Sequence, residues 1–440
     1  MEIVLCILYT LLFVFLIYKL PFFRVDGVSW KILTSLFLVK ILSALVLTFI
    51  YAYYYSNRLE SDIFKYFDDG KIIFNSIKNN PFDYLRMVTG IGDDAPHLDQ
   101  YYNLTNFWYK AFDYNLYNDN HTIIRFNAIV MLFSFGYFNV HNIFMAFISF
   151  TGFTAIFKTF YPYFWNKRNA LLFSVFLIPS VLLWTSGLLK EGILMFAFGF
   201  FVYYTNKLTY RSFSWKFLTG LLLVTALLFI IKFYILLTAL PGIISVFSIK
   251  WFKKFPAFPI VAGVHIIIIS AFFFFRYNSI YNFPNILSCK QHDFINMISK
   301  LPNTGSRINL PLIEPTISSF ALNTPKALVN SFFRPHIFEV HSIMAIPSAL
   351  ENLFIVIVMI LTIIFFKKAD IKNFPWFWFC LSFVFILFIL CGLTTPVLGA
   401  LVRYRAPALP FLFIIFLTFI DLNRIHNLIK NFKLFVKWKK

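Results

Sequence analysis

Ser61-Asp62-Ile63-Phe64-Lys65-Tyr66-Phe67-Asp68-Asp69-Gly70 places three carboxylates and a phenol in one short run. A carboxylate in such a setting can act as general base toward a sugar hydroxyl, or hold a divalent cation beside a phosphate. Ser61 is a helix-capping residue type, and the pattern predicts a helix from there through Lys78, ended near Pro81. On that helix Ile63, Phe67 and Phe74 share one face, and Asp62, Tyr66 and Asp69 share another. The expectation is an interfacial helix that presents its carboxylates beside a bilayer. The competing reading is a solvated loop.

Three further groupings carry chemistry. Pro179-Ser180-Val181-Leu182-Leu183-Trp184-Thr185-Ser186-Gly187-Leu188-Leu189-Lys190-Glu191 loosens a helix end with its proline and glycine and leaves Lys190 and Glu191 at the turn. A neutralised hairpin turn would have the same composition. Phe333-Arg334-Pro335-His336-Ile337-Phe338-Glu339 follows later, with Glu351 opening the next helix. Val402-Arg403-Tyr404-Arg405-Ala406-Pro407 precedes the last apolar run. Guanidinium forks suit phosphate, and the alternative is an arginine anchored by aromatics at the interface. Lys40 and Lys232, inside apolar runs, are functional suspects as intramembrane cations.

The elements that must position these residues are membrane helices. Sixty per cent apolar residues and a mean hydropathy of +0.74 over 440 residues lie outside the range of soluble domains. Continuous apolar runs near the roughly 20 residues that cross a hydrocarbon core exclude a barrel. Spans are expected near 3–19, 32–55, 140–160, 170–187, 192–206, 217–231, 234–249, 258–275, 351–366, 374–392 and 407–421. The fold class is therefore all-α, a polytopic membrane protein of about 11 helices forming a single membrane domain over 1–440. The first segment lacks a positive n-region and a cleavage site, so it reads as a retained span. Cys6, Cys289, Cys380 and Cys391 show no paired spacing and imply no metal or disulfide framework.

The net charge of +20 invites a nucleic-acid reading, and its distribution refutes it. Of the 39 lysines and arginines, 21 fall in alternate short loops and the tail, against three acidic residues there: Asp26, Asp370 and Asp421. That is the positive-inside bias, and it sets the N-terminus outside and the C-terminus in the cytoplasm. Two long segments, 56–139 and 276–350, then face outward. The first holds ten of the nineteen acidic residues, although acidic residues do little to set topology. Counting the apolar stretch 122–138 as a span would invert every later loop, so it reads as re-entrant or interfacial. The 62 phenylalanines read mainly as lipid-facing packing.

The arrangement resembles the GT-C superfamily of polytopic membrane glycosyltransferases. The acidic run with Asp62, Tyr66, Asp68 and Asp69 is similar to that superfamily's hallmark in the first long outer loop. Arg403-Tyr404-Arg405-Ala406-Pro407 resembles a recurring feature of bacterial members and of polysaccharide polymerases, and the Lys190–Glu191 turn one seen in bacterial envelope proteins. The superfamily usually places its acidic loop after the first span, whereas here it follows the second, which keeps an O-antigen-type polymerase in view. The resemblance implies transfer of a sugar from a polyprenyl-phosphate donor to a glycan or lipid acceptor at the outer face of a bacterial cytoplasmic membrane. Asp62 or Asp69, with Asp68 beside them, would take the acceptor proton. Arg403 and Arg405, with Lys190, Glu191, Arg334, His336 and Tyr66, would bind substrate. No cofactor is required, and a divalent cation could assist. A transporter or flippase and a structural envelope subunit are the non-enzymatic alternatives.

Overall fold

The computed structural model describes residues 1–55, 58, 61–110, 117–210, 213–274, 282–300, 306–340, 342–428 and 430. Glu60, Asp113, Arg211 and the basic tail from 431 lie outside the described residues. The chain opens with α1 (Glu2–Lys19), α2 (Trp30–Phe49, continued by a π turn over Ile50–Tyr54), α3 (Asp62–Asn75) and α4 (Pro81–Thr89). Next come α5 (Asp99–Tyr102), α6 (Asn120–Ser134), α7 (Phe138–Phe160), α8 (Arg168–Phe176) and α9 (Pro179–Trp184). Then α10 (Lys190–Tyr210), α11 (Trp215–Trp251), α12 (Ala257–Phe274), α13 (Phe283–Ser299) and α14 (Ile317–Phe333) follow. The last elements are α15 (Ala345–Ile364), α16 (Trp376–Thr394), α17 (Leu398–Arg405) and α18 (Leu409–Phe419). No β-strand occurs among the described residues, so the protein is all-α.

Among the described residues eight helical segments are long and apolar enough to cross a membrane: Glu2–Lys19, Trp30–Tyr54, Phe138–Tyr163, Trp215–Trp251, Ala257–Phe274, Ala345–Ile364, Trp376–Thr394 and Leu398–Phe419. The expected run 170–187 forms two short helices, α8 and α9, because Pro179 has no amide hydrogen to continue the ladder. The runs 217–231 and 234–249 form one helical element, broken at Lys232 by non-helical backbone (φ −157°, ψ 81°). At 15 residues α6 reaches about 22 Å, short of a hydrocarbon core of roughly 30 Å. A left-handed Phe135 and the Gly136 turn end it.

The chain forms two compact units. The first comprises 1–162, 175–177 and 181–236, and the second 163–174, 178–180 and 237–440. In the first, α7 packs against α1, α2 and α10. Phe13 stacks on Phe147 at 4.2 Å between centroids, and Phe37 meets both Phe147 and Phe150 edge-on or tilted. Phe150, Phe153, Phe157, Phe160 and Phe198 are fully buried. Phenylalanine thus builds the interhelical core as well as the lipid-facing surface, since flat rings fill the space between the packed helices. In the second unit α16 packs against α14 and α18, with Phe379, Phe383, Phe388 and Phe411 buried.

Lys158, in the last turn of α7, and Lys167, in a short connection, bind backbone carbonyls of the turn after α1 and of the end of α18. Lys158 donates to Phe22 O at 2.6 Å and Arg24 O at 3.3 Å, and Lys167 donates to Leu417 O and Ile420 O at 2.6 and 2.7 Å. Carbonyls at helix ends lack intrahelical partners, and an ammonium satisfies several at once. The interface of α7 with α10 depends on Gly152 and Gly199. A Cβ on Gly152 would lie 2.2 Å from Met195 O, and one on Gly199 would lie 2.1 Å from Gly152 O. Small residues of this kind let membrane helices approach backbone to backbone. Gly199→Val should therefore destabilise the protein by about 1–3 kcal/mol. Thermal unfolding in detergent measures this, and a melting temperature equal to wild type would contradict the packing.

Candidate functional site

In the first unit the acidic segment folds as a small helical assembly on α6. Helix α3 begins where the sequence places it, with Ser61 in the capping position and a 3-10 turn (Ser76–Lys78) before Pro81. The Ser61 side chain makes no capping bond. Gly70 lets α3 lie directly on α6, because a Cβ there would come within 2.6 Å of Asn127 Cβ. Asn127 Nδ2 donates to Tyr66 O at 3.2 Å, and Tyr84 Oη to Ala128 O at 3.3 Å. The contact buries both faces of α3. Ile63, Phe67 and Ile73 are buried, and so are Tyr66 and Asp69.

Asp69 is therefore not presented to water as the amphipathic pattern predicts. Its Oδ1 accepts from Asn106 N and Nδ2, both at 2.8 Å, and its Oδ2 accepts from Phe107 N at 2.9 Å. Burial pushes its carboxyl up, while the hydrogen bonds from Asn106 and Phe107 oppose the shift. What Asp69 does is hold the 106–108 segment. That segment in turn supplies Trp108 O to Asn118 Nδ2 at 2.6 Å and to His121 Nε2 at 2.8 Å. Trp108 is stacked between Tyr102 and His121, with centroids 4.3 and 3.9 Å away. Arg125, a polar residue in an apolar stretch, donates to Met87 O at 2.8 Å and Tyr117 Oη at 2.7 Å and pairs with Asp93.

This scaffold sets Asp119 and Asn120 at the start of α6, facing the first residue of α10. Lys190 Nζ donates to Asp119 Oδ2 at 2.5 Å and to Asn120 Oδ1 at 3.0 Å. Tyr66 Oη donates to the same Asn120 oxygen at 3.2 Å, and the Lys190 ammonium lies 5.9 Å from the Tyr66 ring centre. Lys110 pairs with the other Asp119 oxygen. Burial acts to raise the Asp119 carboxyl, but Lys190 and Lys110 outweigh it and hold it at about 2. The carboxylate is thus ionised and shared between two ammonium groups. Glu191, the next residue, accepts from Lys232 at 2.8 Å, and both side chains are almost wholly buried. Lys40, also buried, donates to Thr185 Oγ1 at 2.7 Å and sits 4.7 Å from the Phe153 ring centre.

Asp62 lies in the first turn of α3 and is half-buried. Asp68 is also half-buried and pairs with Arg58 at 2.6 Å. The structure thus brings Tyr66, Lys190, Asp119 and Asn120 together, and it gives Asp69, Asp68 and Asp62 three different environments. Among the described residues no group of three histidine, cysteine or carboxylate side chains could hold a metal ion.

In the second unit Arg405 is turned fully inward. It donates to Ser331 O at 2.5 Å, Arg334 O at 2.9 Å and Asn352 Oδ1 at 3.0 Å. The first two carbonyls end α14, so this guanidinium caps a helix rather than presenting its fork to an exposed phosphate. Arg403, two residues earlier on α17, remains half-buried. Arg334 Nε donates to Glu339 Oε1 at 2.6 Å, and the other Glu339 oxygen accepts from His336 N at 3.3 Å. His336 Nε2 lies 3.4 Å from Glu339. Burial alone would raise the Glu339 carboxyl, and the Arg334 and His336 contacts pull it below its ordinary value. Glu351 accepts from Ser180 N at 2.5 Å and Ser180 Oγ at 2.7 Å.

Asp119, Asn120 and Lys110 were not distinguishable from their neighbours by residue type or spacing. The one local signal was an Asp-Asn pair ahead of an apolar helix, which reads as a cap. No family model, curated protein or solved structure matches this chain.

The Lys190–Asp119 contact predicts a thermodynamic coupling. Asp119→Asn should cost on the order of 2–3 kcal/mol at neutral pH, because Lys190 keeps its charge without a carboxylate. Lys190→Met in the same background should recover part of that loss, as read from the unfolding free energies of a double-mutant cycle. The folded Asp119 carboxyl sits at about 2 against an ordinary 3.8. Its contribution is therefore complete above the higher value and lost as the pH falls through the lower one. The stability gap between wild type and Asp119→Asn should close over that acidic window, and a gap independent of pH would rule out an ionised Asp119.

Proposed function

We propose that the protein is a membrane glycosyltransferase that moves a sugar from a polyprenyl-phosphate donor onto a glycan or lipid acceptor. It acts on the outer side of a bacterial cytoplasmic membrane, with eleven spans, the N-terminus outside and the C-terminus in the cytoplasm. The observation that supports this reading most is the grouping of Lys190, Asp119, Asn120 and Tyr66 at the start of α10. An ammonium group at the start of a long helix favours a bound phosphate. Lys190 and Lys110 neutralise the donor phosphate, and Asp119 holds both cations in place. In the transfer the acceptor oxygen attacks the anomeric carbon with inversion while the bond from that carbon to the phosphate oxygen breaks. The proton passes to Asp62, the leaving phosphate takes the bonding electrons, and the fixed cations stabilise the charge that develops there. Asp69 is a positioning residue that holds the 106–108 segment. Arg403 is a further candidate contact for the donor.

The test is turnover and donor binding by purified protein supplied with polyprenyl-phosphate-linked sugars. Lys190→Ala should weaken short-chain polyprenyl-phosphate binding by about tenfold or more, the size of one charge-assisted contact. Asp62→Asn should leave that binding intact and slow transfer by about 10²–10⁴-fold, the contribution of a general base. Transfer by both variants at the wild-type rate would remove this assignment. The polymerase alternative uses the same groups with a diphosphate-linked oligosaccharide, and chain-length analysis of the product separates the two.

The broken backbone at Lys232, with its buried Glu191 partner, favours a second reading as a transporter. Broken membrane helices with paired charges accompany ion and substrate sites in such proteins. Movement of a labelled lipid-linked sugar across proteoliposomes without glycosidic transfer would support it over the enzyme. The proposed orientation is checked by impermeant thiol labelling of intact spheroplasts. Gln100→Cys and Phe338→Cys should react, and Lys253→Cys should react only after lysis. The reverse pattern would invert the topology.

A further inference from the structure

A second site lies in the first unit, at the ends of two membrane helices. An open cleft of about 460 Å³ is lined by Leu45, Thr48, Phe49, Ala52 and Tyr53 of α2, by Arg58 and Phe64, by the 136–139 turn, and by Glu2 of α1. That volume is in the range of small-ligand pockets. Its polar groups are set by the fold. Glu2 Oε1 accepts from Asn139 N at 3.0 Å and from Asn139 Nδ2 at 2.9 Å, which fixes the carboxylate while Oε2 accepts nothing among the described residues. Arg58 gives one nitrogen to Asp68 at 2.6 Å and stacks its guanidinium 4.6 Å from the Phe64 ring centre. Its remaining N–H groups have no partner among the described residues. Phe49 and Tyr53 are strongly exposed at 63% and 72%, at the end of a helix long and apolar enough to cross a bilayer.

We infer that this cleft binds a phospholipid whose headgroup carries a primary ammonium beside a phosphodiester, that is, a phosphatidylethanolamine. Charge complementarity at a fixed depth selects this headgroup. A free carboxylate oxygen suits an ammonium group that can donate hydrogen bonds. A half-free guanidinium suits a phosphodiester. Leu45, Phe49, Ala52 and Tyr53 supply an apolar wall for the acyl chains where α2 meets the interface, the depth at which aromatic residues gather. An anionic lipid would meet the Glu2 carboxylate unfavourably. A quaternary headgroup would offer Oε2 no hydrogen. The site is independent of the glycosyltransferase reading and of which side of the membrane faces the cytoplasm.

The experiment is native mass spectrometry of the full chain in detergent, titrated with phosphatidylethanolamine, phosphatidylcholine or phosphatidylglycerol of identical acyl chains. Wild-type protein should retain the ethanolamine lipid about tenfold more tightly than the choline lipid, the size of one charge-assisted hydrogen bond. Glu2→Gln keeps an acceptor for Asn139 and should abolish that preference. Arg58→Ala should weaken all three lipids. Equal retention of ethanolamine and choline lipids by wild type would overturn the proposal without recourse to any variant. So would tightest binding of the glycerol lipid, or a preference that survives Glu2→Gln.

Discussion

A hydrocarbon core offers no hydrogen-bond partners, so each backbone amide and carbonyl within it must be satisfied by the chain itself. That constraint explains why this protein is all-α, and several of its charged side chains lie where helices begin, end or break. Lys167 and Arg405 each close the open carbonyls of a helix end. Lys190 and Glu191 sit at the start of α10, and Lys232 sits at the break in α11. The same demand that shapes the architecture therefore also collects the groups capable of chemistry.

Within the first unit the consequence is a chain of dependence. Asp69 holds the backbone at 106–107, that segment receives Asn118, Asn120 and His121, and the start of α6 receives Lys190. A carboxylate that is fully occupied by its own protein makes a poor proton acceptor for a substrate but a good anchor. Asp119 is the reverse case in charge and the same in kind, since two ammonium groups keep it ionised and fixed. The cluster is preorganised, and preorganised charge is what stabilises a developing phosphate without later rearrangement.

Arg403 and Arg405 show how residues two apart on one helix separate in role. On α17 they are about 200° apart around the axis, and only Arg405 reaches the carbonyls that end α14. A shared motif in sequence is thus two different environments in the fold. Glu351 and Ser180 form a contact of the same unexpected sort, made by residues far apart in the chain.

Hydropathy alone determined that this is a helical membrane protein, because a run of apolar residues has only one inexpensive conformation in lipid. Residue type likewise placed the start of α3 at Ser61, and the charge of the later loops kept the 122–138 stretch from being counted as a span. Pairing was decided only by tertiary structure. Nothing in the spacing of Asp62, Asp68 and Asp69 distinguishes the anchor from the exposed ion pair, because a helix pattern specifies faces and not what covers them. Asp119 meets Lys190 across 70 residues of chain, and Phe37 and Phe150 are core because other helices happen to lie on them. Burial of a side chain is a property of the neighbours that arrive, and those neighbours come from distant parts of the sequence.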